Sequence, residues 1–124
     1  MSMLDRDFIH REIRRMATAM ARVGGRRRDG QEEDARRELA ALRSEWLGPL
    51  ADVADRLDEA TAVKVLQDVA QVWAYAALTW EKSQLDGNPA AARRALEVGR
   101  RALVLHPGLP GAAEELQRWE QALG

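Results

Sequence analysis

The sequence predicts an all-α fold, a bundle of five or six helices in a single domain spanning residues 1–124. Four long segments place apolar residues at the spacing i, i+4, i+7 and i+11, which gathers them on one face of a helix. Short turns rich in Gly or Pro separate these segments, and no segment shows the strict alternation of a β-strand. Hydrophobic residues make up 46% of the chain, enough to argue against disorder.

The first predicted helix is a basic one that covers residues 4–23. Its apolar face consists of Ile9, Ile13, Met16 and Met20. Gly24 and Gly25 follow directly, and we expect them to end the helix because glycine is common at helix C-termini. The next three residues, all Arg, are therefore expected in a loop.

The second predicted helix begins after Asp29 and Gly30 and is amphipathic. Its apolar face consists of Ala35, Leu39, Leu42 and Trp46. Gly48 and Pro49 then interrupt the pattern. Because proline is well placed in the first turn of a helix, a short helix is expected to follow.

A long and mostly apolar helix is predicted from near Asp58 or Thr61 to about Leu85, and such a helix usually lies at the centre of a bundle. A turn at residues 86–89 combines Gly, Asn and Pro and starts another helix that reaches His106. The final helix carries Ala112, Leu116, Trp119 and Leu123 on one side.

Small residues precede a proline at fixed distances in the second half of the chain. Ala95 lies twelve residues before Pro107 and Ala102 lies five before it, within the closing segment ALVLHP. This pattern resembles a tetratricopeptide repeat, and the resemblance places a tetratricopeptide-like helical hairpin at about residues 60–123. It departs at Gly99, where the family carries a bulky aromatic residue. Small residues at these positions let paired helices approach closely.

The opening segment, RDFIHREI at residues 6–13, carries a second resemblance. It is similar to the first helix of a family of short uncharacterised bacterial helical proteins that also end in a tetratricopeptide-like hairpin. That resemblance extends over the whole chain and implies a fold. It implies no activity.

Residues that would support catalysis are scarce. The chain has no Cys, and its two His, His10 and His106, lie far apart in the sequence. No Gly-x-Ser-x-Gly elbow or glycine-rich phosphate loop is present. The acidic runs at residues 32–34 and 114–115 fall in the first turns of predicted helices, where negative charge is stabilising. We therefore expect no enzymatic activity, no cofactor and no metal site.

Export and membrane insertion are also not expected. Charged residues occur from Asp5 onward, whereas a signal peptide needs an apolar block after its basic start. The apolar stretches are far shorter than the roughly 20 residues of a membrane span. The sequence therefore predicts a cytoplasmic protein.

Charge is distributed unevenly along the chain. Residues 1–28 hold eight Arg and three acidic residues, a net charge of +5, whereas residues 29–68 carry −6 and residues 69–124 are neutral. One interpretation is internal balance, with the basic first helix lying against the acidic second region. Two others are binding to nucleic acid and contact of the amphipathic first helix with a membrane surface.

These observations favour a non-catalytic protein–protein interaction module, a small adaptor or an assembly subunit. The residues predicted to bind a partner, which we expect to be acidic, are Arg14, Arg15, Arg26, Arg27, Arg28 and Trp119. Trp and Arg are favoured at interfaces, and Trp119 lies in an amphipathic terminal helix. Self-association through apolar helix faces is a further hypothesis. The alternative function, nucleic-acid binding through the same arginines, predicts a steep loss of affinity with salt.

Overall fold

The computed structural model describes residues 3–66 and 68–124, with side chains from residue 7 onward. The described residues form seven helices and no strand, which confirms the all-α prediction. The helices are α1 (Met3–Arg28), α2 (Glu32–Leu47), α3 (Leu50–Asp55), α4 (Glu59–Leu66), α5 (Val69–Asp86), α6 (Pro89–Leu105) and α7 (Ala112–Leu123).

Helix α1 is longer than predicted, because it continues through Gly24 and Gly25 to Arg28. The expected loop of three arginines is therefore the last helical turn. Gly24 faces α5, where a Cβ would lie 3.4 Å from a carboxylate oxygen of Glu81. A glycine inside a helix costs roughly 1 kcal/mol relative to alanine. The glycine therefore weakens the helix locally without ending it.

The end of α1 lies at Gly30, which adopts a left-handed conformation with φ of +79°. The backbone N–H of Gln31 donates to the carbonyl of Arg26 at 2.8 Å, and that of Gly30 donates to the carbonyl of Arg27 at 3.2 Å. These two bonds form a Schellman motif, which requires a residue with positive φ. Gly30 is therefore the residue that ends α1, and Gly24 and Gly25 lie within the helix.

The long apolar segment that was predicted as one helix is two helices. Asp68 caps α5, since its side chain accepts the backbone N–H of Gln71 at 2.8 Å, and α4 ends before it at Leu66. The apolar spacing from Leu66 to Val69 and Trp73 continues across this break, so periodicity alone does not reveal it. The division raises the number of helices from the predicted five or six to seven.

Helices α5 and α6 form an antiparallel hairpin around the predicted turn. Gly87 is left-handed with φ of +61°, and the Asn88 side chain accepts the backbone N–H of Ala91 at 3.1 Å. Pro89 is the first residue of α6, where its missing N–H costs nothing. The sequence signals of this turn therefore specify both helix ends.

Helix α5 is the centre of the molecule, as its apolar sequence predicts. It packs against α1, α2, α4 and α6. Its buried residues are Val69, Val72, Trp73, Ala74, Tyr75, Ala76, Ala77, Leu78, Trp80 and Ser83. The remaining core residues of the other helices lie around this helix.

Helix α7 is fixed to the hairpin by stacked indole rings. The ring of Trp119 lies 5.5 Å from that of Trp73 and 5.0 Å from that of Trp80, at interplanar angles of 5° and 10°. Gly99 of α6 permits this approach, because a Cβ there would lie only 2.6 Å from Cδ2 of Leu116. The residues of α7 thus pack closely on α6 at the position where Gly99 has no side chain.

A partly buried polar network connects the short helix α3 to α5 and α6. The Tyr75 hydroxyl donates to Asp55 at 2.7 Å and accepts from Arg94 at 3.1 Å. Arg94 also donates to the carbonyl of Ala54 at 2.6 Å, and Arg43 of α2 pairs with Asp55. Burial, followed by the hydrogen bond to Asp55, raises the pKa of Tyr75 above its ordinary value.

Replacing Gly99 with alanine should lower the free energy of unfolding by about 1–3 kcal/mol, the usual cost of overpacking a filled core. The matched control is Gly25→Ala, also within a helix, where a Cβ would meet no atom within 4 Å. This control should instead stabilise the protein by roughly 0.5–1 kcal/mol. Urea unfolding of both variants measures the difference, and equal effects would contradict the close approach of α7 to α6.

Replacing Tyr75, the one tyrosine of the chain, with phenylalanine should cost about 1.5–3 kcal/mol at neutral pH. The reason is that Asp55 and Arg94 each lose a hydrogen-bond partner. The raised pKa of Tyr75 adds a second effect. Above about pH 10 the unfolded tyrosine ionises first, so wild-type stability should fall there more steeply than that of Tyr75→Phe. Parallel stability curves between pH 9 and 11 would contradict this.

Candidate partner-binding groove

An open groove with a volume of about 730 Å³ runs between α1 and α7, with α5 as its floor. Its apolar base consists of Met16, Met20, Trp73, Trp80 and Trp119. The stacked indole rings hold α7 on one side, and the packing of α1 on α5 holds the other side. The groove is thus a consequence of how two helices flank the central one.

Small residues keep the α1 wall of the groove low. Ala17, Ala21 and Gly24 recur at i, i+4 and i+7 along α1 and line the groove. Residues at this spacing share one face of a helix. Because none of these three residues carries a long side chain, the backbone of a further helix can come close to the α1 wall. The opposite wall is mixed, since it carries the long side chains of Glu114, Glu115 and Arg118 besides Gly111 and Ala122.

The two ends of the groove carry opposite charges. Arg28 lies at the end of α1, next to Gly24 and Glu81, and Glu114 lies in the first turn of α7. Because α7 starts where α6 ends, beside the beginning of α5, these two residues lie at opposite ends of the floor. Both are exposed. Neither forms an ion pair with any other side chain that the structure describes.

The arginines at the end of α1 are largely engaged within the molecule. Arg26 donates to Glu38 at 2.8 Å, and Arg22 pairs with the same carboxylate. Arg27 donates to Glu81 of α5 at 3.1 Å. These ion pairs join the basic first helix to acidic groups on α2 and α5, which agrees with the interpretation of internal charge balance.

The remaining predicted arginines differ from one another in their contacts. Arg15 pairs with Glu12 of its own helix at 2.8 Å, and Arg14 is exposed on α1. Arg28 alone among the five lines the groove without a partner in the described part of the chain. The arginine cluster of the sequence is therefore not a single binding patch in the fold.

Trp119 was predicted to bind a partner as an exposed side chain, and the fold buries it. The residue is only 4% exposed, because its ring lies between Trp73 and Trp80 in the core. The sequence signal for this placement is Gly99, which leaves room on α6 for a large ring on a neighbouring helix. Trp119 thus forms part of the groove floor rather than an exposed anchor.

The residues that sequence reasoning missed are the small ones of the α1 wall. Ala17 and Ala21 share a face with Gly24, and this spacing is visible in the sequence. Its meaning depends on α1 continuing past Gly24, whereas the paired glycines predicted an end. The wall of small residues can therefore be predicted only once α1 is known to continue past Gly24.

The described residues contain no cluster of three or more His, Asp or Glu side chains that could hold a metal ion. None of the described helices combines the length and the apolar character that crossing a bilayer requires. Comparison of the chain with known protein families, with curated proteins and with solved structures finds no match. The function is therefore inferred from the geometry of the groove itself.

Glu38 is the carboxylate that holds two arginines of α1. Partial burial acts to raise its pKa, but hydrogen bonds and charge from Arg22 and Arg26 outweigh burial and keep the pKa below the ordinary value. A lowered carboxylate pKa contributes stability at neutral pH that is lost as the pH falls through that value. The pair therefore helps to fix the end of α1 except in acid.

Replacing Glu38 with glutamine should lower the free energy of unfolding at pH 7 by about 0.5–1 kcal/mol. The value is small because the side chains of Arg22 and Arg26 are 53% and 38% exposed and water screens such pairs. The difference from wild type should shrink as the pH falls below the ordinary glutamate pKa of about 4.3, because the unfolded chain then takes up a proton that the paired carboxylate resists. Denaturant unfolding at pH 7 and pH 3 tests this, and a difference independent of pH would contradict the ion pairs.

Proposed function

We propose that the protein is a non-catalytic protein–protein interaction module, an adaptor or assembly subunit, that holds an amphipathic helix of a partner protein in the α1–α7 groove. The observation that carries the proposal is the groove itself, an apolar floor of indole rings beside the low wall of α1. The groove has a volume of about 730 Å³.

A helix suits this site because of the shape of the walls. An amphipathic helix that lies in an apolar groove presents anchors at i, i+3 or i+4 and i+7. Ala17, Ala21 and Gly24 leave space for such anchors along the length of α1.

The charges at the ends of the groove define the partner helix further. Arg28 complements an acidic residue at one end of the bound helix, and Glu114 complements a basic residue at the other. Electrostatic complementarity of this kind sets orientation and specificity more than affinity. The sequence led us to expect an acidic partner surface. The groove instead requires one acidic residue of the partner helix, opposite Arg28.

Binding to nucleic acid through the arginines has less support. Arg15, Arg26 and Arg27 each lie within 3.1 Å of a carboxylate of this chain. A phosphate would have to replace these contacts before it could gain from them. The sequence pI of about 6.1 also differs from the basic value that is typical of nucleic-acid-binding domains.

The site can be identified by crosslinking from inside the groove. A chain with photo-reactive benzoylphenylalanine in place of Ala17 is irradiated in a lysate of the cells that produce it, and the crosslinked peptide is sequenced. Ala40, an exposed alanine of α2 outside the groove, carries the same group as the control. We expect a crosslink from position 17, and not from position 40, to an amphipathic helix with an acidic residue near one end.

The captured segment is then synthesised and its affinity for variants is measured. Ala21→Arg should weaken binding at least tenfold, about 1.4 kcal/mol, because a charge is placed in the apolar groove. Ala40→Arg, an equal change at a second exposed helical alanine, should change affinity less than twofold. Crosslinking of nucleic acid or of a second copy of this chain, or equal loss in both variants, would contradict the proposal.

A further inference from the structure

Two of the helices that form the groove, α1 and α5, run in the same direction. Ile9 near the start of α1 lines a small surface depression together with Asp68 and Ala70, which lie at the start of α5. Near the other ends of the two helices, Arg27 pairs with Glu81 at 3.1 Å. Because start lies beside start and end beside end, α1 and α5 are parallel.

The third helix of the groove, α7, has this direction too. The chain turns back after α6, so that Glu120 in the second half of α7 pairs at 3.0 Å with Arg100, which lies before the end of α6. Helix α7 is therefore antiparallel to α6. Since α6 is itself antiparallel to α5, α7 runs parallel to α5 and α1. The groove is thus bounded by three parallel helices, with all three ends on the side of Arg28.

Parallel helices give the groove an electrostatic direction. A helix carries a partial positive charge at its start and a partial negative charge at its end, each about half an elementary charge. The partial negative charges of α1, α5 and α7 therefore gather at one end of the groove, and the positive ones gather at the other. A fourth helix between them is favoured in the antiparallel direction, because its positive start then lies beside three negative ends.

The charged side chains at the two ends of the groove favour the same direction. A helix is stabilised by acidic residues in its first turn and basic residues in its last turn. An antiparallel partner helix of this kind places its acidic turn beside Arg28 and its basic turn beside Glu114. In the opposite direction its acidic turn lies beside Glu114 and Glu115, and its basic turn lies beside Arg28. Like charges then meet at both ends.

We propose that the partner helix binds antiparallel to α1, α5 and α7, with an acidic first turn beside Arg28 and a basic last turn beside Glu114. This inference rests on the proposed function, because it assigns a direction and a charge pattern to the helix that the groove is proposed to hold. Glu115 pairs with Arg118 of its own helix. Glu114 is therefore the carboxylate that selects the basic turn.

The length of the groove sets the length of the bound segment. The lining residues extend from Met16 to Arg28 on α1 and from Gly111 to Ala122 on α7, spans of 13 and 12 residues. At 1.5 Å per residue, twelve helical residues extend over about 18 Å. The partner segment is therefore a helix of about three turns, with its acidic and basic turns at opposite ends.

The direction can be determined by crosslinking from two positions that line the groove, Ala17 and Gln84. Gln84 lies at the Arg28 end, one turn beyond Glu81 on α5. Ala17 precedes Arg28 by eleven residues, about 16 Å along α1. Benzoylphenylalanine is placed at each position in turn, both chains are irradiated in the same lysate, and the crosslinked residues are mapped. We expect the residue captured from position 84 to precede the one captured from position 17 by about ten residues in the partner sequence, since a helix rises 1.5 Å per residue.

The outcomes of this crosslinking separate the direction from the proposed function. The reverse order of the two captured residues would overturn the antiparallel direction and leave a partner helix in the groove. Capture of the same residue from both positions would also overturn it, because the helix would then lie across the groove. If neither position captures a protein segment, the proposed function fails, and the direction fails with it.

Charge reversal in the full chain then tests the pairing at the Arg28 end, with the captured segment as a synthetic peptide. Arg28→Glu should weaken binding about three- to tenfold, because a repulsion replaces an attraction at an exposed site. Arg14→Glu, at an exposed arginine of the same helix outside the groove, should change the affinity less than twofold. A lysine in place of the acidic residue in the first turn of the peptide should restore binding to Arg28→Glu. Restoration by a lysine in the last turn instead, or equal losses in both variants, would contradict the proposed direction.

Discussion

Helix α5 has eighteen residues and is buried on every side from Val72 to Leu78, and the burial of this stretch organises the molecule. A helix of this kind is stable in water only when other helices cover it. Helices α1, α2, α4 and α6 pack against it, and α7 adds its Trp119 ring. Most of the hydrophobic free energy of folding therefore comes from residues that surround one element.

The groove arises where this covering is incomplete. Helix α1 lies on one side of α5, and α7 is held on the other side by the stacking of Trp119 on two indole rings. The space between them remains open above the floor. The same packing that positions α7 thus leaves an apolar depression, and its small wall residues keep it accessible.

The sequence predicts the fold class and the central hairpin well, because their signals are local. Asn88 and Pro89 mark the start of α6 by capping and by a fixed backbone angle, and the apolar faces follow helical spacing. The end of α1 was predicted wrongly because Gly24 was interpreted by its conformational freedom. In the fold that freedom is used at Gly30, which takes the left-handed conformation that ends α1, while Gly24 stays helical.

The candidate site was less predictable because it depends on contacts between distant segments. Arg26 and Arg27 are identical in type to Arg28 and adjacent to it, yet they pair with carboxylates on two other helices. Composition identifies such residues as candidates, and only the packing of the helices assigns them different roles.

Amide hydrogen exchange, measured residue by residue with NMR, tests the central role of α5 most directly. Amides that exchange only through global unfolding mark the most stable part of a protein. We expect the amides of Val72, Ala74, Ala76 and Leu78 to exchange most slowly, with protection equal to the free energy of unfolding. The amides at the beginning of α1 and in α7 should exchange faster through local opening. If the α5 amides were no better protected than those of α1 and α7, this account of the fold would be contradicted.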